Sequence, residues 1–554
     1  MNYLDYVKKV EEALATMNSD RKDELLRQLL VGVSESKRLD YLKMLKEDNG
    51  RVEYTKEKIA FSNWYQKVQD GNIYFDVYEH GHYENTPYGE EYEQDFEDPH
   101  GIAKTYRKYY DFSLLMLQNC QYEDALYFLE PLLRMEFYGY SQTEEVLVEF
   151  TLENLIEEGV ISINYRKSIP HLLYLYYQIL QGGSRAQKFY EVLSQEAHLK
   201  IKLEDVFTAG PKELKDIEKF LSEFIVHLEN IPDGKAAVLL SEAAFLFGGS
   251  DYLCTVALAP ENKHPLLFLS ACDALLREKR LEDAERIGLL GLERIPKELV
   301  IRADIARAVE EAAEFLGHQD IVLSSRLEAF YSRTTAFNYL EVCGVATNKE
   351  VLRSARDYVR FLPDFTENAV DQGTGEWRKN RISMKEKDAI LFLSGEWARS
   401  YEKYKNIPGS LGWSSDSKGV IVPLFLIGLF EGESLHKAGL TLYQDTFQKL
   451  GMYSIDEERN NAQFQSWKRF YTFSKEESTT YLPWIEKEVE NRVDGIVSNS
   501  YRYSYWKAAL LVAMLGEVRE SRGEPSGKKK LIDLYKKKYS RRSAFRKELD
   551  VFLD

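Results

Sequence analysis

Between residues 264 and 340 the apolar positions recur with a helical period. Phe268, Ala271, Cys272 and Leu275 stand three and four residues apart, which places them on one face of a helix. The charged stretch 277–280 follows as a turn. Leu281, Ala284, Gly288 and Gly291 then open a second face, and Pro296 closes it. The small residues let two helices approach closely, and the large Phe268 and Leu281 fill the groove between them.

These offsets are similar to those of the roughly 34-residue tetratricopeptide repeat. Weaker copies flank them. Tyr109, Phe112, Met116, Tyr122, Ala125, Leu129 and Leu132 follow the same steps, and QYEDAL at 121–126 parallels RLEDAE at 280–285. Further pairs are expected from Leu172 to Leu193 and from Ile217 to Phe247. The expected fold is all-α: a TPR-like α-solenoid of antiparallel helix pairs with one acidic irregular insertion. Four regions are expected: an N-terminal helical segment (1–67), the insertion (68–103), the repeat region (104–365) and a C-terminal helical region (366–554). Low counts of glycine (32) and proline (14) in 554 residues disfavour a sandwich or barrel.

The insertion breaks the helical pattern. Residues 68–103 contain no Lys or Arg, and carboxylates interleave with tyrosines and phenylalanines. Neighbouring carboxylates repel, so a solvated loop with a short hairpin at Asp70-Gly71 is expected. His80 and His82, beside Glu79, are its only candidate metal ligands, and a lone His-x-His is a weak signal.

The net charge of −17 opposes non-specific binding to phosphate backbones and anionic lipids. The C-terminal end reverses that sign locally. From Ser526 to Lys547 there are ten Lys or Arg residues and one acid, Asp533, around an apolar stripe. Lys528, Lys529, Lys530, Lys536, Lys537, Lys538, Arg541 and Arg542 are therefore the candidate partner-binding residues, for an acidic protein segment or for DNA or RNA. Trp413, in the glycine- and serine-rich loop 407–419, is a further candidate.

No catalytic motif stands out. GxGxxG, HExxH and GxSxG are absent, and no cofactor signature is present. Gly523-Glu-Pro-Ser-Gly527-Lys528 is one residue short of a phosphate loop and follows a helix, so a helix-to-helix turn is expected. The four cysteines lack metal-ligand spacing and read as free thiols in a reducing compartment. The longest apolar run, Val420–Phe430, is too short to span a bilayer. A cytoplasmic location with no membrane partner is expected.

Three segments carry a resemblance to a family. IPKELVIRADIARAVEEAAEFLGHQD with RLEAFYSRTTAFNYL, the loop LGWSSDSKG, and YWKAALLVAMLGEVRESRGEPSGKKKLIDLYKKKYSRRSAFRKEL resemble the long helical region of bacterial SWIM zinc-finger proteins, over roughly residues 105–554. That family's finger follows Cys-x-Cys then Cys-x-His. No such pair exists here, so no zinc ligands carry over. The resemblance implies a helical-repeat module that works beside a partner. The expected function is a non-enzymatic scaffold for a protein partner; the alternative is an accessory subunit contacting nucleic acid through the basic C-terminal helix.

Overall fold

The computed structural model describes residues 54–82, 91–142, 145–362, 377–407, 416–452 and 456–553, with a few isolated positions between 17 and 29; side chains are not described at 79–82 and 91–93. The helices expected over 3–48 and the loop bearing Trp413 lie outside these residues. Among the described residues the chain is overwhelmingly α-helical, with one small sheet. It divides into two compact units, Met1–Ser168 and Ile169–Asp554.

The first unit wraps helices against the sheet. Helix α1 (Thr55–Gln69) leads to β1 (Phe75–His82) and β2 (Glu91–Glu97). Helices α2 (Ile102–Gln118) and α3 (Tyr122–Leu133) follow, then β3 (Glu136–Ser141), β4 (Val146–Thr151) and α4 (Leu152–Glu157). The strand order is β2-β1-β3-β4. β1 and β3 run parallel, so α2 and α3 form the crossover that parallel pairing demands; the other two pairs are antiparallel.

Among its described residues the acidic stretch is therefore two paired strands and not an irregular insertion. Alternation along a strand sends Phe75 and Val77 into the core, while Asp76 and Tyr78, the residues after each, point the other way. Asp95 and Glu97 of β2 reach solvent without disturbing the pairing. Asp70-Gly71 is not a hairpin either. It ends α1, with Gly71 in the left-handed conformation at φ 66°. His80 and His82 fall in β1 opposite Glu93 and Glu91, and their side chains lie outside the described residues. The unit's core is aromatic: Phe61 meets Tyr109 and Phe128 at centroid distances of 5.0 Å each.

Helix α5 (Tyr165–Ile179) crosses the division into the second unit. There α6 (Gly182–Gln195), the short α7 (Leu203–Phe207), α8 (Ile217–Leu228) and α9 (Gly234–Leu258) lead into α10 (Leu266–Arg277), α11 (Leu281–Arg294), α12 (Ile301–Leu316) and α13 (Gln319–Ser332). From α8 to α13 each helix packs on the next in sequence, and α10 also touches α12. The close approach expected between α10 and α11 is present. A Cβ on Gly291 would lie 2.8 Å from the Phe268 ring, and one on Gly288 would lie 2.2 Å from Val309 of α12. Phe268 is buried and Leu281 half-buried.

One described helix, α9, is long and apolar enough to cross a membrane. It is broken at Gly248 and Gly249, and Leu240, Ala243 and Leu253 are buried in the unit.

After α14 (Ala336–Val345) and α15 (Lys349–Phe361) sequential stacking gives way to a centred arrangement. Helix α18 (Lys418–Leu429) is buried along its whole length. Around it pack α16 (Met384–Leu393), α19 (Lys437–Gln448), α21 (Lys475–Val497) and α22 (Tyr505–Ser521). Helices α17 (Trp397–Tyr404), α20 (Glu457–Lys468), α23 (Gly527–Lys538) and α24 (Ser543–Asp550) complete the unit. The ends of α18 are tied by cations. Lys468 Nζ donates to the Gly428 carbonyl at 2.8 Å and Arg522 Nη1 to the Leu429 carbonyl at 3.2 Å. At the other end Lys418 pairs with Glu488 of α21 at 3.0 Å, both nearly buried.

All four cysteines are free. Burial pushes the Cys272 thiol up to about 12 and raises that of Cys343, which makes both inert packing groups.

Candidate functional site

Within the second unit, α12, α13, α14 and α20 enclose an open cleft of about 430 Å³. Its geometry starts at the turns. Gly317, at φ 79°, ends α12. Thr335 caps α14 by accepting from the Asn338 backbone N–H at 3.2 Å. Asn338 is buried and occupied on both sides of its amide: Nδ2 donates to the carbonyls of Ala329 and Arg333, and Oδ1 accepts from Arg307 Nη2 at 2.7 Å. One side chain thereby locks α12, α13 and α14 together.

The charged groups divide into a saturated set and an open set. Arg326 donates to Glu310 at 2.5 Å, to Glu314 at 2.9 Å and to the Glu341 carbonyl at 3.2 Å. Burial nevertheless raises the Glu310 carboxyl above its usual range. Arg307 differs. Among the described residues its one hydrogen-bond acceptor is the neutral Asn338, and its guanidinium lies 5.5 Å from the Phe337 ring centroid. Desolvation and then the neighbouring Arg333 draw it below its usual value. Arg459 of α20 lies 5.1 Å from the same ring and 3.5 Å from Glu341. Two guanidiniums thus lean on one aromatic ring, with N–H donors to spare, beside a carboxylate-rich wall. Among the described residues the lining contains no His, Cys, Ser or Thr, so it can bind charge but does not pair a nucleophile with a base.

Glu386 of α16 fixes the entry to α14. Its Oε2 accepts from the Ala336 backbone N–H at 3.0 Å, and burial raises its carboxyl to about 7. The sign follows directly. Between about pH 4.5 and 7 the folded chain keeps a proton that the unfolded chain has released, so stability falls as pH rises through that window. Glu386→Gln keeps the acceptor and removes the charge. It is expected to match the wild type near pH 4.5 and to exceed it at pH 8 by about 2–3 kcal/mol in urea unfolding.

The residues expected from sequence are mostly engaged elsewhere. Lys528 approaches the buried Glu517 at 3.7 Å, and Lys530 lies 3.8 Å from Glu524. Lys536 pairs with Asp550, and Lys538 meets Glu490 at 3.1 Å and Asp494 at 3.6 Å. Arg542 donates to the Ser498 carbonyl at 3.1 Å. Lys529, Lys537 and Arg541 are exposed. Gly523 to Gly527 is the turn between α22 and α23. The cleft residues Arg307, Phe337, Glu341 and Arg459 lie on three helices with no motif spacing. The one legible signal was the acidic run Glu310, Glu311 and Glu314 along α12, which also fits a plain solvated face.

No protein-family model matches this chain, and no curated protein matches it.

Proposed function

We propose that this chain is a helical-repeat scaffold that binds a protein partner and carries out no chemistry of its own. The observation that supports it is the Arg307–Phe337–Arg459 arrangement: preset guanidiniums in an open cleft, brought together from α12, α14 and the distant α20. An aromatic ring flanked by arginines is the composition of a binding hot spot, and buried Asn338 holds it rigid before any partner arrives. The resemblance to the helical region of bacterial SWIM zinc-finger proteins and a cytoplasmic location belong to the same proposal. The internal pairing of Lys528, Lys536 and Lys538 leaves less free charge for phosphates than the sequence suggests, and so favours a protein partner over nucleic acid.

The test is co-purification of the tagged full chain from its native host, with and without nuclease. Wild type is compared with Arg307→Glu/Arg459→Glu and with Lys529→Glu/Lys537→Glu/Arg541→Glu. The expected result is a partner that resists nuclease and is lost, about tenfold or more, only with the cleft variant. A partner lost with nuclease and with the tail variant would establish the nucleic-acid reading. Retention of the partner by the cleft variant would overturn the cleft assignment.

A further inference from the structure

A second surface lies in the first unit and does not depend on the cleft. β4 is the last strand of its sheet, and no described strand pairs with its outer side. Val146, Leu147 and Val148 stand there in succession, exposed to 46%, 48% and 38%. A free edge with a run of apolar residues and neither lysine nor proline invites another strand. The opposite edge, β2, reads EYEQDFE and is guarded by its charges. Among the described residues, β4 is the edge without such a row of charges.

The two faces of the sheet differ in chemistry. Register places Val146, Val148 and Phe150 on the face that holds Gly139 and the buried Phe137. The Phe150 ring lies over Gly139, where a Cβ would come within 2.6 Å of it. The apolar face thus continues from the core to the exposed edge. The other face carries Leu147 and Glu149, then Tyr138, Tyr140 and Asp76 on the neighbouring strands. None of the four strands contains a Lys or Arg.

We propose that the β4 edge is a docking site for an extended segment of a partner protein in which basic and apolar residues alternate. Such a segment adds a fifth strand. Its backbone satisfies the open N–H and C=O groups of β4, and its apolar side chains lie beside Val146, Val148 and Phe150. Its basic side chains meet the carboxylate and tyrosine face, where ion pairing and cation–π attraction act together. A second copy of this chain fits less well. Joining two β4 edges would lay two acidic faces side by side in one sheet and set like charges against each other.

The experiment uses the full chain and a short fluorescent peptide alternating lysine and valine, with a glutamate–valine peptide as its counterpart. Fluorescence anisotropy is expected to show binding of the lysine peptide alone, weakening as salt rises. Val146→Lys/Val148→Lys is expected to weaken it about tenfold. Hydrogen exchange on the wild type reads the same contact without a variant: saturating peptide is expected to protect the amides of 146–151. Equal binding of the glutamate peptide, or unchanged exchange in β4, overturns the proposal. A dimer by light scattering with β4 already protected would overturn it in favour of a second copy.

Discussion

Arg302→Met is expected to destabilise the second unit by about 3–5 kcal/mol, read as a fall in the urea midpoint followed by circular dichroism. Arg302 is 2% exposed at the junction of α11, α12 and α13. Its Nε donates to Glu328 at 2.8 Å, and its Nη1 donates to the Leu292 and Ile295 carbonyls that end α11. Glu328 also accepts from Ser332 at 2.7 Å. Methionine fills similar volume and can serve none of these acceptors. Two helix-end carbonyls then lose their donor and a half-buried carboxylate loses its counter-ion. The double variant Arg302→Met/Glu328→Gln removes the stranded charge and is expected to recover part of the loss. If the two single losses simply add, the two groups do not act as a pair.

Glu517→Ala is expected to cost about 3 kcal/mol by the same measurement. Glu517 sits on α22 at 1% exposure, and its carboxylate accepts from the backbone N–H groups of Ala438 and Gly439 at 3.1 and 2.9 Å. These begin α19, where a negative charge also meets the positive end of the helix dipole. Burial raises the carboxyl, and the two N–H groups and Lys528 oppose that rise. Alanine leaves the two donors without an acceptor and Lys528 without its carboxylate. Lys529→Gln, one position along and exposed, is the control and is expected to shift stability by less than about 0.5 kcal/mol. A matching loss from Lys529→Gln would place the tail's contribution on its surface charge.

What could be read from the sequence was the part that depends on neighbours along the chain. The α10–α11 pair was legible because Phe268 and Gly291 meet across one turn, and helical spacing shows both at once. The apolar run Val420–Phe430, which makes up most of α18, was legible from composition alone. The strands were hidden for the opposite reason. β1 finds β3 only after the α2–α3 crossover, and its acidic residues mask the alternation of Phe75 and Val77. The cleft was hidden in the same way, since Arg459 joins Phe337 from a helix far along the chain. Asn338, Arg302 and Glu517 are ordinary polar letters in helical stretches, and only the assembled fold shows what each one ties.

The complete burial of α18 also has a consequence for synthesis on the ribosome. This helix is apolar around its whole circumference, and much of its cover, α21 and α22, is made later in the chain. At about 5–20 residues per second, the interval before α22 emerges is on the order of seconds. During it the nascent chain carries an apolar cylinder that its neighbours α16 and α19 cover only in part. A chaperone is therefore expected to bind nascent chains on ribosomes stalled between α18 and α22, and to be absent from ribosomes stalled after α22 has emerged.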